Sequence, residues 1–323
     1  MKTTTFKKQY ILTGLFLLVF PFAADKVFNW NYGVLLANFC ILYIIAVSGL
    51  DILFGYSGQI SMGHAAFFCI GAYGSVLLHQ HTGLPVILTI CTGAVLATLV
   101  GALLAYPASK LVFHFLSLAT IAFGQVVYQL VAQSPGNITG NFTGKFTDTI
   151  SLFGWKLNSY TKYYFFSIVC LGIFLFIKIN LVNSRVGRAF IAIRENSHAA
   201  NGMGINVRKY KVIAFATSAF YTAFAGGLYA HLVRFISPDT FTQKQSVMFL
   251  TMLLFGGSAS VGGTITGVFT VQFLNEILRS AERYQLLIYG ILLLTVILAF
   301  PGGLYGLVRQ ILKKKGGKSD AAG

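Results

Sequence analysis

Charged residues are scarce in this sequence. They make up 10% of its 323 residues, whereas hydrophobic residues make up 56%. Because a soluble domain ordinarily carries about 25% charged residues, this composition excludes an ordinary soluble globular protein. A membrane-spanning helix needs about 20 mostly apolar residues. The chain therefore has room for roughly eight to ten crossings, joined by short loops and with no large soluble domain beside them.

Acidic residues are the scarcest charged group, with only eight in the whole chain. The apolar runs leave none of them at the middle of a predicted membrane span. An intramembrane carboxylate would be the first place to look for a proton or sodium relay, so its absence argues against a proton-coupled secondary transporter. No nucleophile, base and orienting group stand out together either. We therefore expect no catalytic residues and no enzymatic activity in this chain.

Cysteine is also rare, and metal-binding patterns are missing. The four cysteines lie inside apolar runs without a C-x-x-C pair, which indicates small core or lipid-phase residues rather than disulfides or metal ligands. They are Cys40, Cys69, Cys91 and Cys170. A phosphate-binding loop is missing too. The segment 140–146 echoes one, but Thr139 and Phe146 replace required residues. We therefore expect no metal and no cofactor here, and any ATP must be bound by another chain.

Long apolar runs make up most of what is present. They predict an all-α polytopic transmembrane bundle of about ten membrane segments, with residues 1–323 forming a single integral membrane domain. The first run follows Lys7 and Lys8, but Pro21 and Phe22 do not suit signal-peptide cleavage, so we interpret it as a membrane helix. The region 246–278 is predicted to be two short helices around a break, with a re-entrant pair as the alternative. The runs lie at about 10–24, 33–53, 62–79, 85–106, 111–132, 163–181, 211–233, 246–256, 264–278 and 285–300.

Basic residues predict the orientation of the chain. Sixteen of the 24 lysines and arginines fall in groups that a ten-crossing arrangement places in the cytoplasm. This puts the N-terminus (1–8), the loop 183–210 and the basic tail (309–323) inside, and the loop 133–162 outside. The net charge of +16 then indicates orientation and contact with anionic lipid, not nucleic-acid binding. The sixteen are Lys2, Lys7, Lys8, Lys110, Lys178, Arg185, Arg188, Arg194, Arg208, Lys209, Lys211, Arg309, Lys313, Lys314, Lys315 and Lys318.

Two glycine-rich breaks interrupt apolar runs in the two halves of the chain. The first is the segment 55–64, GYSGQISMGH, and the second is 256–263, GGSASVGG. Irregular backbone at membrane depth persists only where protein or a water-filled cavity satisfies its polar groups. Paired broken helices point to a transport path, and tight packing through small residues is the alternative. The path candidates are Gln59, Ser61, His64, Ser258 and Ser260, with Gln125 as a weaker candidate.

The loop segment 185–205, RVGRAFIAIRENSHAANGMGI, has the pattern of a short amphipathic helix. Its alanines favour helix, Gly202 and Gly204 can end it, and Phe190, Ile193 and Met203 give it an apolar face. Such a helix can dock in the groove of a partner protein. The alternative is a helix that lies on lipid headgroups.

Both segments resemble motifs of LivM-type permeases, which belong to branched-chain amino acid ABC importers. The segment 55–64 is similar to the early signature of that family, and 185–205 is similar to its coupling loop. The late glycines 256–263 and the segment 301–306, PGGLYG, also match, so the resemblance covers roughly residues 33–308. One departure is Gln125, which stands where many relatives carry a carboxylate.

The resemblance implies the function, the partners and the location. It implies the permease subunit of an ABC importer in the bacterial plasma (inner) membrane, multi-pass with both termini cytoplasmic. Its partners would be a second homologous permease, two ATP-binding subunits that hold ATP and magnesium, a solute-binding protein and membrane lipid. Branched-chain amino acids are the leading cargo, and urea or amides are alternatives. A stand-alone secondary transporter or channel is the rival class, and a membrane assembly protein is a third possibility.

The resemblance also assigns the loop residues that would couple to an ATPase. Charged side chains would fix the orientation of the helix, apolar ones would pack, and glycine would let the chain turn back toward the next span. Glu195 separates docking from lipid contact, because anionic headgroups would repel it. The expected coupling residues are Arg188, Phe190, Arg194, Glu195, Ala199, Met203 and Gly204.

The orientation can be tested with single cysteines placed at Ser151 and Ser197. Because the first belongs to the predicted outer loop and the second to the predicted cytoplasmic loop, they should react with an impermeant thiol reagent from opposite sides of the membrane. Labelling of intact cells and of inverted vesicles measures this. Labelling of both cysteines from the same side would contradict the predicted topology.

Overall fold

The computed structural model describes residues 31–109, 113–152 and 155–278, together with positions 287–288, 290–291, 294 and 303–306. The predicted N-terminal segment 1–8, the apolar run at 10–24 and the basic tail 309–323 lie outside these residues. The run at 285–300 lies mostly outside them.

The described chain is built almost entirely of helices, and the first of them runs on into a π-helix. Three short helices among the described residues are of the 3-10 type. In chain order the elements are α1 (Asn31–Asp51), the π-helix (Ile52–Tyr56), α2 (His64–Thr82), α3 (Val86–Ala108), α4 (Phe113–Ala132), 3-10 turns (Pro135–Asn137 and Asn141–Thr143), β1 (Lys145–Phe146), β2 (Ser151–Leu152), β3 (Trp155–Lys156), α5 (Tyr160–Asn183), α6 (Arg185–Glu195), α7 (Ser197–Gly202), α8 (Val207–Val233), β4 (Phe235–Ile236), a 3-10 turn (Pro238–Phe241), α9 (Gln243–Gly256) and α10 (Val261–Ile277).

The predicted all-α membrane architecture is confirmed. Within the described residues, five helices are long and apolar enough to cross a membrane. The region 246–278 forms two helices around a break, as predicted. The four cysteines are free thiols in α1, α2, α3 and α5. The five candidate spans are Asn31–Tyr56, Val86–Ala108, Phe115–Ala132, Tyr160–Asn183 and Val207–Val233.

Helix α1 lies at the centre of the bundle. Every residue from Cys40 to Leu53 is buried, and a helix that is apolar on all sides belongs in the interior. It packs against α5, α8, α9 and α10. Helix α3, in contrast, exposes Leu88, Leu99 and Leu103 on one side while its small residues face α2 and α8. That exposed side is suited to lipid.

Helices α2 and α8 cross with their backbones almost in contact. A Cβ atom on Gly71 would lie 1.9 Å from the carbonyl oxygen of Ala223, and one on Gly226 would lie 2.0 Å from that of Phe68. Both distances are far below van der Waals contact, so only glycine fits at these two positions. Small residues commonly allow such close approach between membrane helices.

Both glycine-rich segments interrupt helices, as expected. The first break begins where α1 passes into the π-helix, and it turns at Gly58, whose φ is 71°. The second lies between α9 and α10, where Gly257 and Ala259 have φ values of 102° and 58°. Gly303 of the PGGLYG segment lies against this second break, since a Cβ there would be 2.4 Å from the Gly257 nitrogen. The PGGLYG segment and the second glycine-rich break are therefore in contact.

The loop predicted to lie outside forms a small cap over the ends of α2 and α8. Its strand β1 pairs antiparallel with β4, and β2 pairs with β3. The Oγ1 of Thr147 donates a 2.8 Å hydrogen bond to the carbonyl of Ala230 in α8. His79 Nε2 at the end of α2 lies 3.5 Å from Asp148 Oδ2 in the loop. The loop is thus held by both helices.

The glycine crossing predicts a position-specific loss of stability. Gly226→Ala should destabilise the protein by about 1–3 kcal/mol, because the new methyl group has no space. Gly172→Ala in α5 is the matched control, since a Cβ there meets nothing within 4 Å and alanine has the higher helix propensity. Thermal unfolding in detergent measures both. Equal unfolding midpoints for the two variants would contradict the inferred close contact.

Candidate functional site

The first break is held by three side chains from two other helices, α4 and α9. The backbone N–H of Met62 donates to Thr120 Oγ1 of α4 at 3.0 Å. Gln243 Nε2 of α9 donates to the Met62 carbonyl at 2.9 Å. The N–H of Ala65 donates to Ser246 Oγ, also of α9, at 2.8 Å. Neighbouring protein therefore supplies the partners that water would supply elsewhere.

The polar side chains of the first break lie in contacts between helices. Gln59 Nε2 donates to Ser57 Oγ at 2.6 Å and to the Lys211 carbonyl of α8 at 3.3 Å. His64 is hydrogen-bonded to Ser61 Oγ at 3.0 Å and to Ser218 Oγ of α8 at 2.7 Å. Gln59, Ser61 and His64 are all buried. These bonds match the tight-packing alternative, and the role of the three residues in a solute path stays a prediction.

The remaining path candidates occupy different surroundings. Ser258 and Ser260 are half-buried in the second break. The Ser260 hydroxyl caps α10 by accepting a 2.9 Å hydrogen bond from the N–H of Gly263. Gln125 is exposed on α4. The structure thus brings Gln59, Ser61 and His64 into one break, keeps the two serines in the other, and places Gln125 on neither. Their transport roles stay predictions.

An ion pair that the sequence analysis missed links the two breaks. Asp51 Oδ2 lies 2.9 Å from Lys178 Nζ, and both side chains are fully buried. Asp51 Oδ1 also accepts a 2.6 Å hydrogen bond from the N–H of Ala259 in the second break. Lys178 Nζ donates to Thr264 Oγ1 of α10 at 3.2 Å. One carboxylate at the end of α1 thereby holds α5, α10 and the second break.

These contacts correct one expectation about charge and add a carboxylate near the end of a span. Lys178 was counted among the cytoplasmic loop cations, but it lies inside α5 and is buried. Asp51 lies within the candidate span Asn31–Tyr56, so the membrane region does contain a buried carboxylate. The physical reason is mutual neutralisation: each charge would be costly to bury alone, and the partner offsets that cost. Removing one member of such a pair typically costs about 3–5 kcal/mol.

Helix α6 rests directly on the first break. Arg194 Nη1 donates to the carbonyl of Gly55 in the π-helix. The Arg194 side chain also crosses Gly58 so closely that a Cβ on this glycine would lie 3.0 Å from Arg194 Cγ. One residue expected to act in coupling thus touches the motif expected to act in transport.

The loop 185–205 forms two helices where one was expected. Ser184 caps α6 by accepting from the N–H groups of Val186 and Gly187. Asn196 adopts an extended conformation and caps α7 by accepting from His198 and Ala199. Gly204 follows α7 with a φ of 83°, where the chain turns toward α8. Glycine is the residue suited to that turn, as predicted.

The apolar face of α6 packs against its own chain. Phe190 and Ile193 are buried, and the Phe190 ring meets Tyr210 of α8 edge-on at 6.4 Å. The expectation that they face a partner therefore differs from the structure, because the membrane bundle itself needs this apolar cover. The exposed coupling candidates are Arg188, Arg194, Glu195, Ala199, Met203 and Gly204. Met203 has 83% of its surface exposed.

We define the break junction as Asp51, Gly55, Lys178, Arg194, Ala259 and Thr264. It joins α6 to the first break through Arg194, and the first break to the second through Asp51. It can hold the irregular backbone of two broken helices in a fixed relation to α6.

Comparison with known proteins agrees with this architecture. Residues 33–297 match the family of the branched-chain amino acid transport system permease component. The chain is 29% identical to the high-affinity branched-chain amino acid transport system permease protein LivM of Escherichia coli, over 97% of this chain and 79% of that protein. It is 25% identical to a probable LivM permease of Methanocaldococcus jannaschii, over 88% of this chain and 96% of that protein. No solved structure matches it.

A broken-helix membrane bundle with a paired charge at its junction is the framework of a transport subunit. The chain belongs to the family of permease components of branched-chain amino acid transport systems. It is also 24% identical to a probable permease protein LivH of Methanocaldococcus jannaschii, over 84% of this chain and 91% of that protein. Permeases named LivM and a permease named LivH are thus both similar to this chain.

Proposed function

We propose that this chain is one of two related permease subunits of an ATP-driven importer for branched-chain amino acids. Two ATP-binding subunits bind ATP and magnesium on the cytoplasmic side, and a solute-binding protein delivers the solute from outside. Both termini of the chain are cytoplasmic, in the bacterial inner membrane. This chain forms part of the path and catalyses no reaction. The main structural support for the proposal is the hydrogen bond from Arg194 to the first break, because it connects helix α6 of the loop to the membrane interior.

The proposed partner arrangement draws on two observations. Relatives named LivM and LivH both resemble this chain, which supports pairing with a second, homologous permease. The long exposed side chains on α6 and after α7, above all Glu195 and Met203, suit contact with another protein. A helix that only lay on anionic headgroups would not benefit from Glu195.

The charge pattern favours ATP as the energy source over an ion gradient. Asp51 is the carboxylate that a proton or sodium relay would use, but it is paired with Lys178 and accepts from Ala259. A carboxylate neutralised in this way is poorly placed to take up and release a cation at each cycle. The rival secondary transporter would need such a freely accessible group.

Uptake by the reconstituted complex tests the proposal. The chain, together with the second permease, ATPases and binding protein encoded near its gene, is placed in liposomes. Labelled leucine should accumulate only when ATP is present on the side of the liposome membrane that carries the ATPases and the binding protein is present on the other side. Labelled urea serves as the alternative solute. Accumulation of leucine by this chain alone, driven by a proton or sodium gradient, would overturn the proposal, and preference for urea would reassign the solute.

The exposed carboxylate of α6 gives a residue-level prediction. Glu195→Lys should weaken ATPase binding roughly 10- to 150-fold, since a lost charge-assisted hydrogen bond costs roughly 1.5–3 kcal/mol. Glu195→Gln is the matched variant, which keeps the shape of the side chain and should have a smaller effect. Co-purification of the ATPases and the hydrolysis rate measure the loss, while membrane insertion should be unchanged. Glu195→Lys complexes with normal ATPase content and normal uptake would rule out a docking role for this residue.

A further inference from the structure

The break junction offers a route from α6 to the second break. We propose that the Asp51 carboxylate, held by Lys178, is the positioning group that transmits displacement of α6 to the backbone at 257–260 during transport. The inference rests on the proposed function, in which α6 receives the motion of an ATPase. It concerns two buried residues that lie outside the sequence motifs of the two breaks.

The first step of the route runs from α6 to the π-helix. Arg194 is bonded to the Gly55 carbonyl and lies against Gly58. Any shift of α6 therefore presses or pulls on the first break through a direct contact. The π-helix at this point is a departure from regular helix geometry, a feature that is frequent at functional sites.

The second step runs from the π-helix to the carboxylate and the second break. A Cβ on Gly55 would lie 2.1 Å from Asp51 Oδ1 and 2.6 Å from the Ala259 nitrogen. The missing side chain at Gly55 is what lets the carboxylate reach the N–H of Ala259. The three groups are so close that displacement of one must displace the others.

The third step concerns the conformation of the second break. Ala259 has a φ of 58°, a left-handed conformation that is uncommon for residues other than glycine. The hydrogen bond to Asp51 helps to hold it there. Loss of that bond would release the backbone at 257–260, which lies between the ends of α9 and α10. The second break is therefore a segment whose conformation one contact can control.

The chemistry of the pair argues for a role beyond stability. Replacement of a buried ion pair by apolar residues of similar volume is often neutral or stabilising. An apolar pair could fill this space, but it could not accept from Ala259 or bind Thr264. Coupling between distant sites needs an element whose position both sites influence. The pair contacts α1, α5, α10 and the second break at once.

Two double variants separate the positioning role from packing. Asp51→Leu with Lys178→Met leaves no unpaired charge but removes the acceptor for Ala259. Asp51→Asn with Lys178→Met also leaves no unpaired charge but keeps an oxygen that can accept from Ala259. Both are measured in the full complex for bound ATPases, ATP hydrolysis and leucine uptake. The quantity compared is the number of leucine molecules taken up per ATP hydrolysed.

The Leu/Met variant should bind its ATPases normally but lose at least tenfold in leucine taken up per ATP. The Asn/Met variant should lose about threefold. A native ratio in an assembled Leu/Met complex would overturn the inference. Should Leu/Met fail to assemble, the Asn/Met variant decides, and a tenfold or larger loss there would overturn the inference, because that variant can still accept the hydrogen bond from Ala259. A native complex without ATP-dependent uptake would instead refute the proposed function, so the two failures are distinguishable.

Discussion

A peptide group inside an apolar layer has no water to bind, so each N–H and C=O of a broken helix needs a partner from the protein. This constraint organises the centre of the bundle. Thr120, Gln243 and Ser246 bind the backbone at 62–65, and Asp51 binds the backbone at Ala259. Helices α1, α4 and α9 are therefore tied to the breaks by hydrogen bonds as well as by packing. The irregular segments exist because the surrounding helices complete them.

The sequence predicted the helical framework well, because a helix that crosses a membrane needs a long apolar run, and such runs are evident in the sequence. The runs at 33–53, 85–106, 163–181 and 211–233 correspond closely to α1, α3, α5 and α8. The π-helix was not predicted, since its residues fit an ordinary helix equally well. The division of 185–205 into α6 and α7 was missed because Asn196 acts as a cap only once its own backbone is extended.

The candidate site was predicted less completely, because its two charged residues do not stand out from ordinary loop charges in the sequence. Asp51 and Lys178 fall at the ends of apolar runs, where a charge is ordinarily assigned to a loop. The signal that could have identified them was the pair itself: opposite charges, each just inside an apolar run and each costly to bury alone. The orientation of Phe190 was not predictable either. An apolar face on a loop helix indicates that something covers it, but not whether that cover is the same chain or another.

The glycine crossing of α2 and α8 has a mechanical consequence. Their backbones touch at Gly71 and Gly226 with no side chain between them, so neither helix can slide or rotate without carrying the other. The two helices form one rigid unit. Helix α3 packs against the same unit at Gly93 and Gly101. Any change of shape in this subunit must then leave these three helices together and move other parts of the chain against them.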